Sequence, residues 1–233
     1  MSIGIITAVE TEMILIKNRM KNIKEKNIYN LCFYNGVISN KDCILVQSGV
    51  GKVNAARTTQ ILIDFFNVDT IINVGLAGSV NLNLNIEDIV IGDKLLQYDF
   101  DSTGFGNYDK GEIKDTGKYF YSDKKLIELC KQAIEEYKNE KINIVIGTIG
   151  TADFFCASPK KALQIREEFD VLCVEMEGAA IAQVATLDNI PFLVIRAISD
   201  TPNGNNRIDF DNFKNIVSKR GAEILEKLLY KIK

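Results

Sequence analysis

Three acidic residues stand where an apolar run breaks off. Glu12 follows Ile3-Gly-Ile-Ile-Thr7, Glu177 ends Val171-Leu-Cys-Val-Glu-Met-Glu177, and Asp200 ends Val194-Ile-Arg-Ala-Ile-Ser-Asp200. A carboxyl kept neutral by burial can deliver a proton, and an ionised one can remove a proton or face a developing positive charge. The same placement also serves plain structure, because an acid at a helix start or turn accepts exposed backbone N–H groups. Taken singly, each acid reads more simply as such a cap. The chain contains no histidine. That excludes Ser-His-Asp and Cys-His systems and every His-ligated metal centre, so acid–base work falls to carboxylates, Tyr, Lys or Cys.

The elements that would position these acids are legible in outline. Val171–Val174 and Phe192–Ile195 are continuous and rich in β-branched or aromatic residues, the pattern of parallel strands buried on both faces. Ligands of open α/β sheets bind beyond the carboxyl ends of strands. Two neighbouring strands ending near Glu177 and Asp200 would aim both carboxyls into one crevice. Other ligand-type features also fall just after strands: Glu12, the Gly49–Gly51 turn, Gly75-Leu-Ala-Gly78 and the Phe154–Phe155 pair. Ser48-Gly-Val-Gly-Lys-Val53 invites a phosphate-loop reading, which fails because Val46 and Val53 replace the required Gly and Ser/Thr. Its glycines suit a tight strand-to-helix turn close to a ligand.

Along the chain, strands are expected at Ile3–Thr7, Thr70–Gly75, Ile86–Leu96 and Ile142–Ile149. A hairpin of Tyr29–Ile38 and Asp42–Gln47 turns about Ser39-Asn-Lys-Asp42, after a polar Lys/Asn stretch. Helices are expected from Ala8 to about Met20, from the glycine turn through Phe66, and over Ser122–Tyr137, capped by Ser122 and Asp123. Two more run from Ser158-Pro159 through Glu168 and from Asp209 to Ile232. Residues 97–121 are aperiodic and rich in Gly, Asp, Tyr and Phe, a length that suggests a lid or an interface. Alternating strands and helices without a linker or repeat predict one α/β domain over 1–233, with a mixed central sheet flanked by helices.

Composition narrows the partners. The 233 residues are 46% hydrophobic and 25% charged, with a net charge of −3. Lysines are interleaved with Glu, so neither a nucleic acid nor a membrane surface is an expected partner. Five cysteines without paired spacing suit reduced thiols. No run reaches eighteen apolar residues and no leader pattern opens the chain, so a cytoplasmic location is expected.

Ile3-Gly-Ile-Ile, Glu12, Ser48-Gly-Val-Gly-Lys52, Gly75-Leu-Ala-Gly78, Tyr98-Asp-Phe-Asp-Ser-Thr-Gly-Phe-Gly106, Val174-Glu-Met-Glu177 and Arg196-Ala-Ile-Ser-Asp200 occur in this order. Together they resemble the signatures of 5′-methylthioadenosine/S-adenosylhomocysteine nucleosidases, of the nucleoside phosphorylase superfamily. The resemblance implies a nucleoside phosphorylase-like fold and hydrolysis of an N-glycosidic bond without a cofactor. It implies that Asp200 protonates adenine N7, oriented by Ser199, and that its pKa is raised by burial. Glu12 would activate water, with Arg196 holding Glu12 or that water. Glu177 would grip the ribose 2′- and 3′-hydroxyls, its charge favouring an oxocarbenium-like sugar, and Met176 would lie against the ribose. Phe155 would stack on adenine, with Cys156 offering backbone hydrogen bonds, and Ala77 and Gly78 would line the same site. Val50 and Phe210 would form one side of the slot for the 5′-alkylthio group. Ser102 and Phe105 would reach that slot from the second subunit of a homodimer.

Three residues depart from the family pattern: Leu76 for a Ser, Ser102 for an apolar residue, and Cys156 for an aliphatic one. The alternatives are hydrolysis of another adenine nucleoside (5′-deoxyadenosine or aminodeoxyfutalosine), phosphorolysis, and non-catalytic nucleoside binding or storage. Phosphorolysis calls for cationic partners, and Ile3–Met13 contains no Lys or Arg. All three acids being present argues against a mere binding protein.

Overall fold

The computed structural model describes residues 1–135, 142–203 and 206–233 and places one mixed, 10-stranded sheet between helices. In chain order its first half comprises β1 (Ser2–Thr7), α1 (Glu10–Lys17), β2 (Lys21–Ile28), β3 (Leu31–Ile38), β4 (Lys41–Gln47), α2 (Lys52–Phe66), β5 (Thr70–Ser79) and β6 (Ile89–Gln97). A single 3-10 turn at Thr103–Phe105 precedes β7 (Phe120–Tyr121), α3 (Lys124–Glu135) and β8 (Ile144–Thr151). The rest is α4 (Pro159–Phe169), β9 (Cys173–Glu175), α5 (Gly178–Leu187), β10 (Phe192–Asp200) and α6 (Asn206–Lys231).

β1 lies between β4 and β5, parallel to both. β5 is parallel to β10, which runs antiparallel to β6. β6 and β8 are parallel, as are β8 and β9, and β9 returns antiparallel to β5. These five strands close a ring, with β1, β4, β3 and β2 as an open flap on one side. The apolar runs of β1, β5 and β10 are buried along their length because helices cover both faces. One core packs α1, α3 and α6 against the sheet through residues such as Ile16, Leu126 and Leu225. The other packs α2 and α5 through Leu62, Ile181 and Ala185. α4 and the end of the ring share a smaller cluster around Tyr98, Ile165 and Val171.

The expected single α/β architecture is the observed one, with local corrections. β9 has only three residues and begins at Cys173, so Val171 and Leu172 precede it. The strands leading to Glu177 and Asp200 are not neighbours, because β5 lies between β9 and β10. The Lys/Asn stretch is the edge strand β2, exposed at nearly every position. It has no buried face and therefore no alternation to reveal it. β5 continues through its glycines to Ser79, and α1 stops at Lys17. Asp123 caps α3 by accepting the Leu126 N–H at 2.9 Å, whereas the Ser122 hydroxyl has no hydrogen-bond partner among the described residues. The expected end of that helix, 136–137, lies outside the described residues.

Candidate active site

Glu12 owes its place to the short link after β1. The chain runs extended through Val9 and enters α1 with Glu12 in the first turn. From there its side chain reaches back, Oε2 accepting the N–H groups of Ala8 at 2.9 Å and Val9 at 3.1 Å. This is half of a capping box, since Val9 has no hydroxyl to complete it. Oε1 accepts the Leu76 N–H at 3.1 Å. Three of about four lone-pair directions are thus occupied, leaving roughly one for a water or ligand. Burial pushes the Glu12 carboxyl above its usual range, and the backbone donors and the Arg196 charge pull it back in part. Gly75 leaves room for them: a Cβ there would come within 3.1 Å of Glu12 Oε1 and 3.3 Å of Arg196 Nη1 and press on both.

Glu177 lies where β9 gives way to α5, and its Oε1 accepts the Gly51 N–H at 2.9 Å. Gly51 has φ 100°, a conformation open to glycine and unfavourable for other residues. Beneath Glu177 lies a buried polar network. Glu175 accepts the N–H groups of Glu177 at 3.1 Å and Gly178 at 2.7 Å, and it pairs with Arg196 and the Thr151 hydroxyl. Arg196 also donates to Asn73 Oδ1 at 2.5 Å and to the Ile195 carbonyl at 3.1 Å. Burial and the Glu175 charge push the Glu177 carboxyl up to about 8, against the opposing pull of Arg196 and Gly51. The same burial and neighbouring charge act against the full negative charge expected of Glu177 in the ligand-free chain.

Asp200 ends β10, opposite Gly78 of β5, where the register between these strands shifts. Gly78 also pairs with Val174 of β9, so one glycine separates the two acid-bearing strand ends. A Cβ on Gly78 would lie 2.8 Å from Asp200 Oδ2. The Ser199 hydroxyl donates to Asp200 Oδ1 at 2.7 Å. Asp200 is only 1% exposed. Burial raises its carboxyl to about 6, with Asp209 at the start of α6 adding to the rise and Ser199 opposing it.

The three acids line one cavity of about 680 Å³. Val50, Ala77, Gly78, Phe155, Met176, Ser199 and Phe210 line it too. Phe155 stands half-exposed, edge-on to Phe210 with ring centroids 6.0 Å apart. Cys156 lies next to Phe155, its side chain buried outside the lining. Arg196 is fully buried behind the cavity; its hydrogen bonds go to Glu175, Asn73 and Ile195, and its charge acts on Glu12 without a direct hydrogen bond. Ser102 and Phe105 are not in this chain's cavity. The Ser102 hydroxyl donates to the Glu112 carbonyl at 2.9 Å, and Phe105 is 87% exposed.

Sequence reasoning missed the Glu175, Thr151 and Asn73 network, whose only signal is polar residues within or ending apolar strands. It also missed Ala8, Val9, Ala157, Val174 and Asp211 as lining residues. Leu76 touches Glu12 through its backbone N–H, so a side-chain hydroxyl is not needed for that contact. A second cleft of about 710 Å³, between the 98–110 segment and α4, holds lysines and acids, with Lys110 paired to Glu168. No group of three or more potential metal ligands occurs among the described residues.

Known proteins resemble this chain along nearly its whole length. The family model for the phosphorylase superfamily matches residues 2–230. A 5′-methylthioadenosine/S-adenosylhomocysteine nucleosidase of Staphylococcus aureus is 36% identical over 228 residues, 97% of this chain and 98% of the relative. The crystal structure of an S-adenosylhomocysteine nucleosidase from Streptococcus pyogenes, in complex with 5-methylthiotubericidin, superposes with a TM-score of 0.94 at 39% identity, covering 100% of this chain and 98% of the other. A nucleosidase of S. pneumoniae holding a transition-state inhibitor gives 0.93 at 38%, covering both chains fully (100% each).

Proposed function

The chain belongs to the phosphorylase superfamily, among its 5′-methylthioadenosine/S-adenosylhomocysteine nucleosidases, and from that membership we propose how its cavity performs the hydrolysis. The substrate's adenine lies against Phe155, its ribose against Met176 and Glu177, and its 5′-thio group toward Val50 and Phe210. Asp200 gives its proton to adenine N7 as the C1′–N9 bond breaks, so the bond electrons leave on a neutral base. Water adds to C1′ while Glu12 accepts its proton. The products are adenine and the 5′-thioribose, a set suited to methionine salvage.

The observation that carries this reading is the Asp200 carboxyl. Buried beside one hydroxyl and, among the described residues, no cation, it is pushed up to about 6 and retains a share of its proton near neutral pH. Phosphate as the attacking group is disfavoured, because no Lys or Arg lines the cavity among the described residues. Arg196, buried behind the cavity, is already paired with Glu175. A homodimer is supported by Phe105, whose exposed ring on the 3-10 turn suits the slot of a partner subunit. Ser102, turned back to Glu112, shapes that turn. A cytoplasmic setting fits five cysteines that form no disulfide. No helix of the described residues is long and apolar enough to cross a membrane.

The test is incubation with methylthioadenosine in phosphate-free buffer, read by release of adenine and methylthioribose. A requirement for phosphate would make the chain a phosphorylase. Tight binding without adenine release would make it a binding protein. Side-by-side assay of S-adenosylhomocysteine, 5′-deoxyadenosine and aminodeoxyfutalosine ranks the possible substrates.

A further inference from the structure

Lys52 closes the Ser48–Lys52 motif, and neither phosphate binding nor the carboxylate chemistry gives it a task. Its surroundings do. It is the first residue of α2, whose N-cap, Gly51, has no side chain to hold the free backbone N–H groups. Asp153, just beyond β8, supplies that cap from outside, its Oδ1 accepting the Lys52 N–H at 2.8 Å. Lys52 Nζ then reaches Asp99 Oδ1 at 2.7 Å, and Asp99 Oδ2 accepts the Asp153 N–H at 2.9 Å. The contacts form a closed ring joining the glycine turn, the segment after β6 and the segment after β8. The ion pair is largely withdrawn from solvent, with side-chain exposures of 18% for Lys52 and 22% for Asp99.

Each segment in the ring borders the site. Gly51, one residue before Lys52, donates to Glu177. Phe155 lies two residues after Asp153, and the turn bearing Phe105 begins four residues after Asp99. We propose that Lys52 is a positioning residue, and that the Lys52–Asp99–Asp153 ring preassembles the adenine platform and the Glu177 contact before substrate arrives. This rests on the nucleoside-hydrolase reading above. A site ordered in advance spares the substrate the ordering of those segments. Bond cleavage itself stays with Asp200 and Glu12, so loss of the ring weakens ground state and transition state alike. Such uniform loss raises KM and leaves kcat.

The experiment compares wild type, Lys52→Met, Asp99→Asn and the double variant with methylthioadenosine, alongside amide hydrogen exchange on the ligand-free proteins. Each single variant should raise KM about threefold to fivefold, the upper range for a well-formed ion pair of this kind, with kcat within about twofold. The double variant should be no worse than the worse single one, since either change opens the same ring. Exchange should quicken at 51–53, 99–101 and 153–155 and stay unchanged in β1 and β10. Unchanged KM, a fall in kcat at constant KM, additive effects, or unaltered exchange would each overturn the proposal. If Lys52→Met fails to fold, Asp99→Asn opens the ring from its other side and decides alone. If wild type releases no adenine, the assigned activity fails and the exchange comparison still tests the ring.

Discussion

Changing Asp200 to Asn should make the protein more stable while removing its activity. A folded-state carboxyl raised from 3.8 to about 6 is a destabilised anion. The folded protein then binds that proton more tightly than the unfolded chain does. Below pH 4 both states are protonated and the site has no net effect. Between pH 4 and 6 the unfolded chain ionises first, and stability falls as pH rises. Above pH 6 the loss levels off at about 3 kcal/mol, from roughly 1.4 kcal/mol for each pH unit of displacement. Asn carries no charge, and its carbonyl can still accept from Ser199. The buried amide N–H groups reduce the gain, so an advantage of about 1–3 kcal/mol at pH 7.5 is expected. At roughly 2–4 °C per kcal/mol in a chain of this size, the melting temperature should rise by about 2–12 °C. The assay is thermal and urea unfolding of both ligand-free proteins at pH 4.5, 6 and 7.5. Turnover should fall by at least about a hundredfold, while the equilibrium constant for binding methylthioadenosine changes little. A stability difference independent of pH, or a variant less stable than wild type at pH 7.5, would refute the reasoning about the buried anion.

The pH profile of kcat/KM should fall about tenfold per unit above roughly pH 6, where the free protein loses the Asp200 proton; a flat alkaline limb would assign the proton elsewhere. Glu175→Gln leaves the buried Arg196 without its counter-charge and should destabilise the protein by about 3–5 kcal/mol, measured by urea unfolding. A loss below about 1 kcal/mol would mean that Asn73 and the backbone suffice. Gly78→Ala puts a methyl 2.8 Å from Asp200 Oδ2 and should cut kcat at least about tenfold through displacement of the acid. Wild-type turnover in that variant would show that the acid need not be held so closely.

How much was legible depended on whether a residue's task left a periodic or compositional trace. The apolar runs of β1, β5 and β10 announce themselves because both faces of each are buried. β2 does not, since Lys21–Ile28 is held by pairing with β3 and meets the core only through Ile28 at its end. Ten of the expected site residues line one cavity, and their order along the chain was readable from strand ends. Side-chain partners were not. Arg196 could face Glu12 as readily as Glu175 from its place on β10, and the choice follows from β9 lying beyond β5, a fact of topology. Nor could charge state be read: Glu177 is pushed up by burial and then by Glu175, two residues before it, because both carboxyls turn into the same dry interior.

The three acids share one cavity, and their surroundings separate their tasks. Glu12 is offered three backbone N–H groups and the nearby charge of Arg196, all favouring its ionised form. Asp200 is offered one hydroxyl, faces the added negative charge of Asp209, and gains no cation among the described residues. The donors around Glu12 suit a group that takes a proton and their scarcity around Asp200 suits one that gives it, the division that protonating a leaving base and deprotonating water requires. Burial raises both carboxyls. The difference comes from backbone donors that only the Ala8–Val9 link and the Leu76 amide can aim. Those donors belong to the main chain, so a Leu side chain at 76 is compatible with the chemistry.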